Sequence, residues 1–148
     1  MTSHTQHVHW DLDYEIALGK TLSRFMDGLR EGRMLGTTCA RCKRTFVPAQ
    51  DFCEACFEPI AEWTEVPDRG TLELFTIVRQ GFAGGPDVPY AIGAIRLEGS
   101  STLLFHRLSG IDLDSADVDG LTGSSVRAVW SSERSGTILD IDSFAPAD

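Results

Sequence analysis

The chain has 148 residues, 42% hydrophobic and 24% charged, a balance that suits one compact unit or two small ones in tandem. Its net charge of -9 and pI near 4.8 argue against a sequence-independent grip on a phosphate backbone, which needs a basic surface. No apolar run approaches the length of a bilayer span and no export signal opens the chain, so the sequence predicts a reduced, cytoplasmic setting without membrane insertion.

Met1 to His9 reads as a disordered leader, with His4, His7 and His9 in a loose tail. Trp10 to Arg33 carries a helical pattern. Asp11 and Asp13 are candidate N-caps, Tyr14, Leu18, Leu22, Phe25 and Leu29 form one apolar stripe, and Gly32 is a C-terminal stop. Gly19 marks a possible break between two shorter helices. The stripe must pack on the following domain or on another protein. Trp10, Tyr14, Leu18, Leu22 and Phe25 are therefore candidate partner contacts, and packing within the chain is the competing reading.

The next stretch holds all four cysteines, as Cys39-x-x-Cys42 and Cys53-x-x-Cys56 with ten residues between the pairs. Two thiolates three positions apart grip an ion from a tight turn, and a second such turn closes a tetrahedron. Four sulfurs suit Zn²⁺, and a site with no open position is structural rather than catalytic. Disulfides would need an oxidising compartment, a redox dithiol needs only one pair, and spacing alone does not separate zinc from iron. Arg44 to Val47 predicts a short strand, Phe46 and Phe52 are expected to cover the sulfurs, and Trp63 is expected where the ribbon meets the next unit. Seven of the thirteen Lys and Arg residues fall between Lys20 and Arg44, a local basic region on an acidic chain.

After the turn signal at Pro67-Asp68-Arg69-Gly70, five strands are predicted: Thr71–Gln80, Tyr90–Leu97 with a bulge or bend at Gly93, Thr102–Leu108, Ser125–Ser131 and Thr137–Phe144. Asp112 to Gly123 reads as an acidic loop with at most one helical turn, and Glu133–Gly136 as a hairpin turn. Five short strands cannot make a large sandwich. A small closed barrel removes their edges, and the OB-fold is the five-stranded barrel of that size. The fold class is thus mostly β with an N-terminal helix: leader and helix over 1–33, zinc ribbon over 34–66, barrel over 67–148. In the irregular loop from Gly81 to Pro89, Phe82 has no strand pattern around it and is placed to project. No Ser-His-Asp arrangement is readable, the cysteines are committed to metal, and His106 lies in an alternating strand where a packed histidine is expected rather than a base.

This order of elements resembles the family of rubredoxin-like zinc ribbon plus OB-fold proteins found as small partners of thiolases, long grouped as a domain of unknown function. The residues that carry the resemblance are Phe25 with Leu29 to Gly36, Cys39-x-x-Cys42, Phe46-x-Pro48, Cys53-x-x-Cys56, Trp63, Gly70-Thr71-Leu72, Phe75 to Val78 and Pro89-Tyr90. Lys43, where a glycine often follows the second cysteine, and Ala49, in place of a second proline, depart from the pattern. The resemblance implies a non-catalytic accessory subunit in a hetero-oligomer with a thiolase-type or lipid-transfer-protein-like aldolase subunit. Such a complex would act on acyl-CoA thioesters in aromatic or steroid side-chain degradation. With structural Zn²⁺ on the four cysteines, Arg33, Arg41, Lys43, Arg44, Arg79 and Phe82 become candidate CoA contacts, chosen by charge and projection. The alternative is a ribbon and OB-fold that bind nucleic acid.

Overall fold

A computed structural model describes residues 13–115 and 118–147. The predicted helix is shorter than the apolar stripe suggests: α1 spans Gly19–Arg30. Asp13 is not its cap and Asp11 lies outside the described residues; the N-cap is Leu18, with no side-chain cap bond. Gly19, at φ +66°, turns the chain into the helix, so Tyr14 and Leu18 fall before it rather than along its face. The C-terminal stop at Gly32 forms as the sequence suggests. Gly32 has φ +73°, its N–H donates to the Leu29 carbonyl, and the Arg33 N–H reaches back to that of Gly28.

Strands β1 (Met34–Thr38), β2 (Thr45–Phe46) and β5 (Glu62–Val66) form an antiparallel sheet in the order β2-β1-β5. Between them, β3 (Phe52–Cys53) and β4 (Glu58–Pro59) make a separate small hairpin. Gly28 lets α1 lie close on this sheet, since a Cβ there would stand 2.8 Å from the Leu35 side chain.

Strands β6 (Arg69–Val78), β7 (Tyr90–Leu97), β8 (Leu104–Leu108), β9 (Ser125–Trp130) and β10 (Ile141–Pro146) close into a barrel in the order β10-β8-β7-β6-β9. Closure rests on one parallel pairing, Phe144 with Leu108, backed by a bond from the Ser109 N–H to the Phe144 carbonyl. The irregularity expected at Gly93 lies instead on the facing strand, between Leu72 and Leu74. Gly93 serves close packing: a Cβ there would meet the side chains of Leu72 and Leu108. At Gly70 a Cβ would collide with the Arg96 carbonyl, which is why β6 can start tight against β7.

Two other expectations change. Thr102 does not begin a strand. Its hydroxyl accepts from the Val47 N–H at 2.9 Å and donates to the Val47 carbonyl at 2.8 Å, stitching the β7–β8 connection to the ribbon. Nor does Thr137 begin one: Ile138–Asp140 is a 3-10 turn. The buried Asp140 carboxylate accepts from the Ser135 and Gly136 N–H groups at 2.9 and 2.7 Å, which holds that turn shut.

Ribbon and barrel share an apolar core. Phe25 and Leu29 of α1, with Met34, Val47 and Val66 of the ribbon region, join Leu72, Ile95, Leu97, Val126, Ile141 and Phe144 of the barrel in one cluster. Polar bonds back this joint on the far side: Arg134 Nε donates to the Arg30 carbonyl and Arg30 to that of Ser135, both at 3.0 Å. The fold therefore has two consequences for function. The cysteine turns project from a stable base, and the outer wall of the barrel is left open.

Candidate functional site

The four cysteine sulfurs converge. Sγ atoms of Cys39, Cys42, Cys53 and Cys56 all lie within 4.8 Å of one another. Each pair sits in a turn of the same design. The Lys43 N–H donates to the Cys39 carbonyl at 2.9 Å, and the Phe57 N–H to that of Cys53 at 2.8 Å. Residues Lys43 and Phe57, one place after the second cysteine of each pair, take left-handed φ values of 60° and 57°. Glycine suits that backbone best, so Lys43 holds the conformation against its own side chain.

The backbone N–H groups of Cys42 and Arg41 hold the Cys39 thiol down at about 7, against the opposing effect of burial. The Cys56 thiol is pushed up to about 12 by its contact with Cys42 and by burial. Packed together, the four sulfurs resist losing all their protons unless a cation shares the site. A tetrahedron of Zn–S bonds of about 2.3 Å has edges of about 3.8 Å. The 3.6 Å between Sγ of Cys42 and Cys53 is of that length, and an all-thiolate donor set suits the ion. The residues present therefore fit a four-coordinate soft cation.

Phe46, Ile60, Cys39 and Cys53 form a small buried cluster of their own around the sulfurs. Phe46 covers them as expected. Phe52 does not: it is half exposed and meets Phe57 edge to face with ring centres 6.3 Å apart. Ile60 takes its place, held by a bond from its N–H to the Asp51 carbonyl. Nothing in the local pattern distinguished Ile60 from a surface residue.

The six candidate CoA contacts are not gathered into one site; they stand on three separate parts of the fold. Arg33, after α1, donates to Glu65 at 2.8 Å and to Glu31 at 3.1 Å. In the first cysteine turn Arg41 pairs with Glu58, Arg44 pairs with Glu54, and Lys43 is in no ion pair among the described residues. Arg79 pairs with Asp114 at 2.9 Å after β6, and Phe82 projects 73% exposed over Gly85. Among the candidate partner contacts, Phe25 is withdrawn entirely into the shared core and cannot face a partner as the stripe suggested, while Leu22 is half-buried against that core and lines an open groove with Leu18. Tyr14, 70% exposed, and Leu18 remain open, and Trp10 lies outside the described residues. Trp63 packs against the shared core, with the Arg24 guanidinium 4.3 Å over its ring.

His106 points into the barrel. Its Nε2–H donates to the Ile138 carbonyl at 3.3 Å and its ring meets Phe144 edge to face. Its Nδ1 is buried without a partner among the described residues, while the half-buried side chain also borders an open trough with Phe105 and Arg107. No helix among the described residues is long and apolar enough to cross a membrane.

A four-cysteine ribbon sharing its core with a five-stranded OB-type barrel defines a two-module zinc ribbon and OB-fold protein. Residues 26–60 match the family model described as the ChsH2 rubredoxin-like zinc ribbon domain, and residues 63–131 match that of the ChsH2 C-terminal OB-fold domain. The chain thus carries both ChsH2 domains in tandem, ribbon first and barrel second. Two solved structures are similar. One is a DUF35-family protein of unknown function from Sulfolobus solfataricus, 26% identical, covering 75% of this chain and 78% of that one, with a TM-score of 0.61. The other is the Ltp2-ChsH2(DUF35) aldolase, 19% identical, covering 90% of this chain and 100% of that one, with a TM-score of 0.66. No curated protein is similar enough in sequence to count as a match.

Proposed function

We propose that the chain is a non-catalytic companion subunit in a hetero-oligomer with a thiolase-type or lipid-transfer-protein-like catalytic subunit. The complex acts on acyl-CoA thioesters in the cytoplasm, in the breakdown of an aromatic compound or a steroid side chain. The observation that carries this reading is the joint match of ribbon and barrel to the ChsH2 domains, together with a likeness spanning 100% of the similar chain in a structure named as an Ltp2-ChsH2(DUF35) aldolase. The inward, hydrogen-bonded His106 and the clustered cysteines agree with a chain that leaves bond cleavage to its partner.

Cys39, Cys42, Cys53 and Cys56 hold Zn²⁺ in this reading, and the ion fixes the ribbon rather than taking part in a reaction. Arg33, Arg41, Arg44 and Arg79 sit in exposed ion pairs. Exposed pairs are worth about 0–1 kcal/mol. They can exchange a carboxylate for a CoA phosphate at little cost, and Lys43 offers its charge directly.

The test is co-expression with the Ltp2-type or thiolase-type subunit of the same genome. A stable complex is expected, with acyl-CoA cleavage that falls when this chain is withheld. Separate migration of the two at micromolar concentration, or cleavage by this chain alone, overturns the reading.

A further inference from the structure

The outer wall of the barrel carries an apolar face with one cation at its centre. Because side chains alternate along a strand, cross-strand partners share a face. Leu74 and Phe105, with the buried Ala94 between them, share one face across β6, β7 and β8, and Thr76, Ile92 and Arg107 make its next row. Phe105 is 65% exposed, and Leu139 beside it is 75% exposed. An open trough of about 460 Å³ runs between Pro86, Tyr90, Ile92, Phe105, Arg107 and Leu139. The loops at its two ends are those that flank the ligand face of an OB-fold, after its first and fourth strands.

Arg107 is the exception among the arginines. Arg24 lies over Trp63, and Arg30, Arg33, Arg41, Arg44, Arg69, Arg79, Arg96 and Arg127 are in ion pairs. Arg134 donates to carbonyls. Arg107 alone has no ion pair, hydrogen bond or ring contact among the described residues, in a chain with 22 Asp and Glu.

We propose that this face docks a segment of the partner protein that sets a carboxylate against Arg107 and apolar side chains over Phe105 and Leu139. The assignment rests on the reading of the chain as a companion subunit and places the contact with the catalytic subunit. Charge decides the occupant. A single-stranded nucleic acid needs several cations along its path, and the trough has one. In a two-fold pairing with a second copy the same patch faces itself, so Arg107 would face like charge. A drug-sized acyl ligand needs concave walls that bury most of its surface, and this trough lies on the outside of a sheet. A protein segment needs neither, and Tyr and Arg set among apolar side chains are frequent anchors for one.

The experiment uses the full chain and the Ltp2-type subunit of the same genome, with Arg107→Glu, Phe105→Ser and, as a control on β9, Arg127→Glu. Arg107 makes no bond among the described residues, so R107E keeps the wild-type melting temperature, and its Kd for the subunit rises at least tenfold. F105S also weakens binding, R127E does not, and hydroxyl-radical footprinting shows Phe105 and Leu139 protected in the wild-type complex. Wild-type affinity in R107E and F105S overturns this docking face and leaves the companion reading standing. Failure of the wild-type chain to bind the subunit overturns both. Self-association lost in R107E, or R107E-sensitive binding of palmitoyl-CoA or a dT12 oligonucleotide by the chain alone, assigns the face to another occupant and overturns the proposal.

Discussion

Removing the metal should melt the cysteine loops and spare everything beneath them. The loop from Asp51 to Ile60 has little of its own to hold it. Around the sulfurs, among the described residues, only Phe46 and Ile60 add fully buried apolar side chains. Burying two such groups contributes about 3–6 kcal/mol. Ordering the backbone of ten residues costs about 10–20 kcal/mol. The shortfall, about 4–17 kcal/mol, spans the apparent binding energy of about 10–16 kcal/mol for a structural zinc site near neutral pH. The base is held differently. Val47 exchanges two bonds with the Thr102 hydroxyl, and the Ser101 N–H donates to the Thr45 carbonyl at 2.7 Å. Met34 and Val47 also belong to the core shared with the barrel. Chelation should release one metal per chain. Amide exchange should then rise at Lys43, Phe57 and Ile60, whose N–H bonds depend on the turns, and stay slow in β1, β6 and β7. If metal-free material, verified by elemental analysis, keeps Phe57 and Ile60 protected, the cysteines do not order these loops through an ion and the reasoning fails.

Three further outcomes follow from backbone and charge. Gly70→Ala drives a methyl into the Arg96 carbonyl, a backbone atom that cannot step aside. It should cost about 3 kcal/mol, near the upper end for overpacking, and lower the melting temperature by roughly 10 °C; an unchanged melting curve would show that the β6–β7 pair can open there. Lys43→Gly relaxes a left-handed residue in the first cysteine turn and should stabilise the metal-loaded chain by about 1 kcal/mol, read from the urea midpoint. A lower midpoint would mean that the lysine side chain is itself held in place. Asp140 gives the acid response. Burial raises its carboxyl, the N–H groups of Ser135, Gly136 and Thr137 lower it further than that, and the net shift is downward. A folded value below the unfolded one of about 4 gives stability that is complete above that pH and is lost as the pH falls through the folded value. Asp140→Asn should flatten this acid limb of the urea midpoint, and an unaltered slope would assign it elsewhere.

What could be read from the sequence was what short-range chemistry decides. Two Cys-x-x-Cys turns fix their own geometry, and five strands bounded by Gly and Pro signals announce a barrel, so the ribbon and the OB-type closure were both legible. The helix start was legible only in part. An apolar stripe continues back through Leu18 to Tyr14, and Gly19, which the sequence marks as a possible break, takes a left-handed conformation that begins the helix there. Thr137 and Ile138 are β-branched, as at a strand start, and only the folded Ser135–Gly136 turn, brought against the Asp140 carboxylate, makes Ile138 to Asp140 a 3-10 turn. The exposed basic residues were legible as charges but not as partners, because Glu65, Glu58 and Asp114 reach Arg33, Arg41 and Arg79 across long stretches of chain. Arg107 is not legible in the sequence for the same reason: it stands apart only because the other arginines meet partners distant in the chain.

The joint between ribbon and barrel sets a limit on how the chain can be divided. Phe25 precedes the matched ribbon segment, and Ile141 and Phe144 follow the matched OB segment, yet all three are inside the same cluster. A hybrid that grafted either matched stretch onto a foreign neighbour would inherit an open wound where Phe25 or Phe144 had been. Relatives that exchange one half should be found to have altered the other in step, at the residues that meet across the seam.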